Sequence, residues 1–386
     1  NCCAIIRNTK FDFGILNFFT QGKFKGDIQM KRNIKAILSA AAAAMMVLSM
    51  AGCGSSASGS SSSAASTSGS ASASASAQAD GEQIKVGMLQ ISEHVALDNC
   101  RQGFLDYLAE HGYKDGENIV IDYQNAQGDQ SNLKTISQQF VNNGYDYLVG
   151  ISTPATQSLA TETQDIPVIG TAITSFEAAG LVESNENPGG NVSGVNDETP
   201  IAEQMALLKE ILPDAQTVGV MYNSSEVNSQ VQAEKAQEEA EKLGLKVEVS
   251  TVTSSNDVAQ AVETMMEKAD VIYLPTDNTF ASTMATVGQI SEQKKVPVIV
   301  GEAGMCANGG IATVGLDFYQ LGLQTGEFVI KVFEGGDIST MPVEYPNTSN
   351  ITVNKEFAEK IGIEIPQSVL DKADFFVENG ETVAAK

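Results

Sequence analysis

From residue 84 onward the chain alternates short apolar runs with longer stretches whose apolar residues recur every three or four positions. The run at 84–89 predicts a strand, and Leu97, Cys100, Phe104 and Leu108 then fall on one helical face. Further strands are predicted at 118–123, 147–151 and 166–169. Between them lie a helix carrying Leu133, Ile136 and Phe140 and another opened by Pro154, where the missing N–H costs nothing. A second series begins near Thr199, with a helix running to Leu212 and stopped by Pro213. Strands are expected at 217–222, 246–249, 271–274 and 296–300. Val227, Val231, Ala236, Ala240 and Leu243 mark the buried face expected of a helix that Gly244 ends. Phe318, Leu321, Thr325, Phe328 and Val332 make a last long amphipathic helix; a short strand at 350–353 and two short helices finish the chain.

This alternation predicts an α/β protein in which parallel sheets are covered by helices on both faces. Some 300 residues exceed what one core holds, so two Rossmann-like doubly wound lobes are expected. We assign 83–199 plus 314–340 to lobe one and 200–313 plus 341–386 to lobe two, the tail crossing back between them.

The residues before 83 follow another grammar. Residues 1–29 are expected to be an upstream extension, with translation from Met30. Lys31, Arg32 and Lys35 then form a basic start, and 37–50 an Ala-rich apolar core too short to span a membrane comfortably. Ala51 and Gly52 precede Cys53 as a lipoprotein signal peptidase accepts, with Met50 where Leu is usual, so 30–52 is expected to be removed and Cys53 lipidated; an ordinary cleaved signal is the alternative. The Ser, Ala and Gly of 54–79 bury nothing and predict a flexible tether within 53–82.

The formal net charge is −25, and seven of the 23 Lys and Arg lie at or before Cys53, so the folded part is more acidic still. That excludes nucleic-acid binding, which needs basic patches. Of five cysteines only Cys100 and Cys306 lie in the folded part, with no CxxC and no metal-ligand spacing. No cofactor or metal is expected. Burial is the favoured reading for Cys100, a Cys100–Cys306 disulfide the lesser one.

In open α/β sheets ligands bind beyond the carboxyl ends of the strands. Those ends carry Gln90 and His94, then Ser152, Thr153, Pro154, Ala155 and Thr156, then Thr174, Asn223, Ser224, Thr276, Asp277, Asn278, Glu302 and Asp317. The turn at 152–156 is the expected carboxylate seat, because helix N-termini offer free N–H groups. Asp277, Glu302 and Asp317 are expected to face an ammonium group, and Tyr222, Phe176, Phe280, Phe318 and Tyr319 to line an apolar pocket. No Arg stands among these ends, which counts against phosphate or dicarboxylate ligands. Polar strand ends also cap helices and make turns, so the set as a whole carries the reading. Phosphate-loop and nucleophile-elbow motifs are absent, and two histidines and no Trp leave little for catalysis, so an enzyme is not expected.

Longer strings identify a resemblance. VGMLQISEH at 86–94, IDYQNAQGD at 121–129, PGGNVSGV at 188–195, ILPDA at 211–215, YNSSE at 222–226 and LPTDNT at 274–279 resemble the TrpX-like substrate-binding proteins of ABC transporters, over nearly all of 83–375. The resemblance implies the type I periplasmic-binding architecture, two lobes joined by a multi-strand hinge and closing on a solute. It implies a monomer at the outer face of the cytoplasmic membrane or in the periplasm, held by its lipid anchor and serving ABC permease subunits. An aromatic amino acid such as tryptophan is the implied ligand, a nucleoside or sugar the alternative. Val95 stands where proline is frequent in that family, and Cys306 in a loop usually free of cysteine.

Overall fold

The computed structural model describes residues 83–346 and 349–385. The extension, the signal segment, Cys53 and the tether lie outside the described residues. Among those described, no helix is long and apolar enough to cross a membrane.

Lobe one is built from β1 (Ile84–Gln90), α1 (Val95–Glu110), β2 (Ile119–Asn125), α2 (Gln130–Asn142), β3 (Tyr147–Ile151), α3 (Thr153–Glu162), β4 (Val168–Ile173) and β5 (Val192–Asn196). Its sheet runs β2-β1-β3-β4-β5, and every pairing is parallel. β4 and β5 are buried along their whole length, as a sheet covered on both faces requires.

Lobe two follows with α4 (Ile201–Ile211), β6 (Thr217–Asn223), α5 (Val227–Lys242), β7 (Lys246–Val252), α6 (Val258–Met265) and β8 (Val271–Leu274). Then come α7 (Asn278–Ser282), α8 (Met284–Lys294), β9 (Val298–Val300), α9 (Ala303–Ala307) and β10 (Ala312–Leu316). The long helix α10 (Phe318–Phe333) returns to lobe one, where Phe328, Val329 and Val332 join the core around Phe104 and Phe140. The chain then goes back to lobe two as β11 (Ser349–Val353), α11 (Lys355–Ile361), α12 (Gln367–Leu370), β12 (Phe375–Glu378) and β13 (Glu381–Ala384). The second sheet runs β13-β12-β11-β10-β9-β8-β6-β7, with β11 antiparallel to β10 and β13 antiparallel to β12. One face packs on Leu208, Ala236 and Ile361, the other on Phe280, Met284 and Val262.

Among the described residues the chain passes between the lobes three times, after Asn196, after Leu316 and after Glu344. The first and third run side by side, with Asn196 N–H donating to the Glu344 carbonyl at 2.9 Å. The second crossing comes after 314 because β10 pairs with β9 and β11 through Leu316. The third comes after 340 because Val343 is still buried in the lobe-one core.

Other sequence expectations change in detail. β5 and β10 form where no strand was assigned. The chain does not finish on two helices: a hairpin follows them, turning at Asn379 and Gly380, both with positive φ. α5 buries Asn228, Ser229, Gln232, Ala233, Ala236 and Ala240, while Leu243 is exposed and Val227 and Val231 only half-buried. Its apolar stripe is thin because its first two turns face polar groups between the lobes. Cys100 and Cys306 are free and buried in different lobes' cores, so the disulfide alternative is excluded.

Candidate functional site

The strand ends of the two sheets face each other across a narrow cleft. At its centre lies a small cavity, with about 20 Å³ open to water, walled from lobe one by His94, Leu97, Ala172, Thr174, Asp197 and Phe318. Lobe two contributes Asn228, Thr276, Asp277, Asn278, Ala281 and Glu302. Among the described residues, three carboxylates and no Lys or Arg line it. Asn278 also borders a larger, open polar groove between the lobes, which includes Ser92, Asp129, Asn223, Glu226 and Thr253.

Direct contacts draw the lobes together. His94 Nε2 lies 3.2 Å from Asn278 Oδ1. Gln232 Nε2 donates to Thr174 Oγ1 at 3.3 Å, and Gln232 Oε1 accepts from Thr276 Oγ1 at 2.8 Å and Thr199 Oγ1 at 3.4 Å. One amide so touches lobe one, the hinge and lobe two. Val95 packs against Gly304.

The predicted acids take different parts. Asp277 accepts from Asn223 N–H at 2.6 Å and caps α7 through Phe280 N–H at 2.9 Å, and burial raises its carboxyl pKa. Glu302 caps α9 through Gly304 and Met305 N–H, and burial pushes it up to about 7. Both line the cavity, but their oxygens are already engaged by backbone donors. Asp317 caps α10 through Tyr319 and Gln320 N–H and stands outside the cavity, because the helix it starts leads back into lobe one.

Asp197, which the strand-end reading passed over, is the carboxylate with the fewest partners. Thr174 Oγ1 donates to it at 3.1 Å, and burial pushes it up to about 6. It follows β5 directly, so recognising that strand exposes it by the same strand-end rule. Asn228 and Gln232 were also missed. They lie four apart on α5, on a polar face that the apolar period conceals.

The 152–156 turn adjoins the cavity without lining it. Ser152 Oγ accepts from Ala155 N–H at 3.4 Å, and Thr156 Oγ1 donates to the Gly150 and Ser152 carbonyls. Pro154 has no N–H, and Pro154 and Ala155 are buried. Thr153 Oγ1 is buried with no partner. Two non-glycine residues with positive φ stand here, Ser152 at 102° and Ala172 at 55°. Ser152 N–H donates to the Thr171 carbonyl at 3.0 Å, so the two are on adjacent strand ends. The β4–β5 register skips Ala172, which takes its peptide out of the ladder at the cavity wall.

Gln90 is buried and donates to the Ser92 carbonyl and to Asp98, bracing the start of α1 rather than lining the cavity. Asn223 binds Glu226 and Thr279 in the outer groove. Ser224 is exposed and tied to the Val252 carbonyl, away from both spaces. Of the five aromatic candidates only Phe318 reaches the cavity. Phe176 and Phe280 are fully buried in separate cores, Tyr222 packs in another, and Tyr319 donates to Asp106 on the outside of lobe one.

Residues 85–377 match the family described as ABC transporter substrate binding protein. A tyrosine-binding protein of Clostridioides difficile is 40% identical over 275 residues, covering 71% of this chain and 80% of its own. A Streptococcus pneumonia ABC domain solved in complex with L-Trp is 42% identical, with a TM-score of 0.74 over 77% of this chain and 100% of its own. A ligand-free, open substrate-binding protein from Clostridium difficile is 41% identical over 76% of this chain and 99% of its own, yet its TM-score is 0.58.

Proposed function

Because the chain belongs to the ABC transporter substrate-binding protein family, we propose that its cleft captures an aromatic amino acid and that closing of the lobes presents the loaded form to the permease. Members of this family are extracytoplasmic, and such proteins carry solutes rather than transform them. The observation that carries the ligand reading is the charge of the cavity. Among the described residues it holds three buried carboxylates and no Lys or Arg, and a buried carboxylate demands a partner. An ammonium group supplies one, and Asp197, with a single side-chain donor, is its place.

The ligand's own carboxylate belongs at the strained ends of β3 and β4. The unpartnered Thr153 hydroxyl and the turned-out peptide at Ala172 stand there. Backbone held in a rare conformation beside a cavity is characteristic of ligand clamps. The side chain then extends toward Phe318, Leu97 and His94.

Closure supports the same reading. At nearly equal identity the chain matches the L-Trp complex better than the open, ligand-free relative, as lobes drawn together would. A ligand that binds the closed state better shifts the population toward it. On this reading the carrier is a monomer tethered through Cys53. Titration calorimetry with the twenty amino acids tests it. Binding of tryptophan or tyrosine is expected; no heat with any amino acid would overturn it. The chain has no Trp, so emission from bound tryptophan is read without background.

A further inference from the structure

Reading the cleft as an aromatic amino-acid site leaves one polar atom in its wall unexplained. His94 Nδ1 is buried and has no partner, while the ring lines the cavity. What this atom can do is fixed from across the cleft. Glu226 Oε1 accepts from Asn223 Nδ2 at 3.1 Å and Thr279 Oγ1 at 3.0 Å, and Glu226 Oε2 accepts from Asn278 Nδ2 at 2.5 Å. Burial and the neighbouring Asp277 push Glu226 up to about 7; above that pH its carboxylate only accepts, so Asn278 turns its amide nitrogen to Glu226. Its Oδ1 is then left facing His94 Nε2 at 3.2 Å. A carbonyl oxygen also only accepts, so Nε2 carries the ring proton. Burial keeps the imidazole neutral, and in a neutral ring the other nitrogen is a bare lone pair.

We propose that His94 Nδ1 is a specificity-determining acceptor for a hydrogen-bond donor on the ligand's side chain, the indole N–H of tryptophan or the phenol O–H of tyrosine. The inference rests on the aromatic amino-acid reading and sharpens it: a ring without a donor, as in phenylalanine, leaves Nδ1 buried and unpaired. Asn278 and Glu226 are positioning residues that set the tautomer. The ammonium is already served by Asp197, so the donor His94 reads is a second one. A lone pair cannot take a ligand carboxylate, which keeps the ligand in one orientation.

The test is calorimetry with tryptophan, tyrosine, phenylalanine and 1-methyltryptophan, whose ring donor is blocked. For the wild-type protein, phenylalanine binds about 10–100-fold more weakly than the tighter of tryptophan and tyrosine, the cost of one buried acceptor left unmade. If tryptophan binds, the methylated form loses a similar factor. His94→Leu brings the donor-bearing ligand down to the level of phenylalanine. Glu226→Gln lets Asn278 turn over and narrows the same ratio. The protein has only two histidines, so nitrogen NMR of the unmutated chain reads the tautomer independently. Above pH 7, where Glu226 is charged, a proton on Nε2 and none on Nδ1 of His94 is expected. Equal binding of donor-bearing and donor-free rings, a ratio unchanged in His94→Leu, or a proton on Nδ1 overturns this inference alone. Silence with all four ligands sinks the amino-acid reading as well.

Discussion

Gly322 of α10 lies so close to Cys100 of α1 that a methyl carbon in its place would stand 2.0 Å from the Cys100 carbonyl oxygen. The fit is reciprocal, since a Cβ on Gly103 of α1 would stand 2.1 Å from the Tyr319 carbonyl. These two helices begin with His94 and Phe318 at the cavity wall, so their spacing sets the floor of the site. Gly322→Ala forces them apart and is expected to destabilise the protein by about 1–3 kcal/mol. Thermal melting measures it, at about 2–4 °C per kcal/mol for a protein of this size. An unchanged melting temperature would show that the helices separate freely.

Gly304 and Val95 test closure rather than folding, because they meet only where the lobes meet. A Cβ on Gly304 would stand 2.7 Å from Val95 Cβ. The same Cβ would stand 2.9 Å from Glu302 Oε2 within lobe two, but the clash with Val95 exists only in the closed state, so Gly304→Val is expected to prop the cleft open and weaken ligand binding about 10–100-fold. Small-angle scattering with saturating ligand should then show a larger radius of gyration than for the wild type. Full affinity in the variant would mean that closure does not bring these residues together.

Asp197→Asn removes the proposed ammonium partner. Affinity for the amino acid should fall about 10–100-fold, while the ligand-free protein melts no lower, since a buried carboxylate with one side-chain donor is itself costly. A variant with wild-type affinity would shift the ammonium to Glu302 or Asp277.

The same burial gives opposite pH dependences to stability and binding. Burial pushes Asp197 from 3.8 up to about 6 and Glu302 from 4.5 up to about 7. A carboxyl whose folded value is raised holds its proton more tightly when folded. Its stabilising contribution is therefore complete below about pH 4 and lost as the pH rises through 6 to 7. The ligand-free melting temperature should fall from pH 5 to pH 8, and Glu302→Gln should flatten that slope. Binding of an ammonium favours the charged form of Asp197, so affinity should rise over pH 5 to 7. Parallel trends in the two measurements would contradict this assignment.

Cys100 lies 3.3 Å from Thr171 Oγ1, and burial pushes its thiol up to about 12; burial raises Cys306 as well. Thiolates are the reactive form, so neither should react with iodoacetamide in the native protein. Peptide mapping should find both labelled only after denaturation. Native labelling at either would mean that its core opens readily.

Most of the scaffold was legible because burial on both faces writes continuous apolar strands, such as those at 147–151 and 271–274, and because long helices show their period. β5 and β10 escaped because Gly194 and Gly315 interrupt short runs whose strand character comes from their neighbours in the sheet. The terminal hairpin had a signal that went unused, the Asn379-Gly380 pair. Of the residues named by the strand-end rule, His94, Thr174, Thr276, Asp277, Asn278 and Glu302 line the cavity between the lobes, whose ligand role is a proposal. The rule could not tell a carboxylate consumed in capping, such as Asp317, from one left wanting, such as Asp197. That difference lies in which backbone N–H groups come within reach, a property of folded geometry.

The order of the three crossings bears on how the chain is made. Lobe one's strands have all been synthesised by Asn196, yet the helix that covers the apolar side of α1 is Phe318–Phe333, on the far side of nearly all of lobe two. A chain emerging from N- to C-terminus therefore leaves the Cys100–Gly103 side of α1 uncovered until lobe two has passed, and neither lobe corresponds to one uninterrupted stretch of gene. Cutting this protein at the first lobe boundary therefore parts helix Phe318–Phe333 from the core it completes.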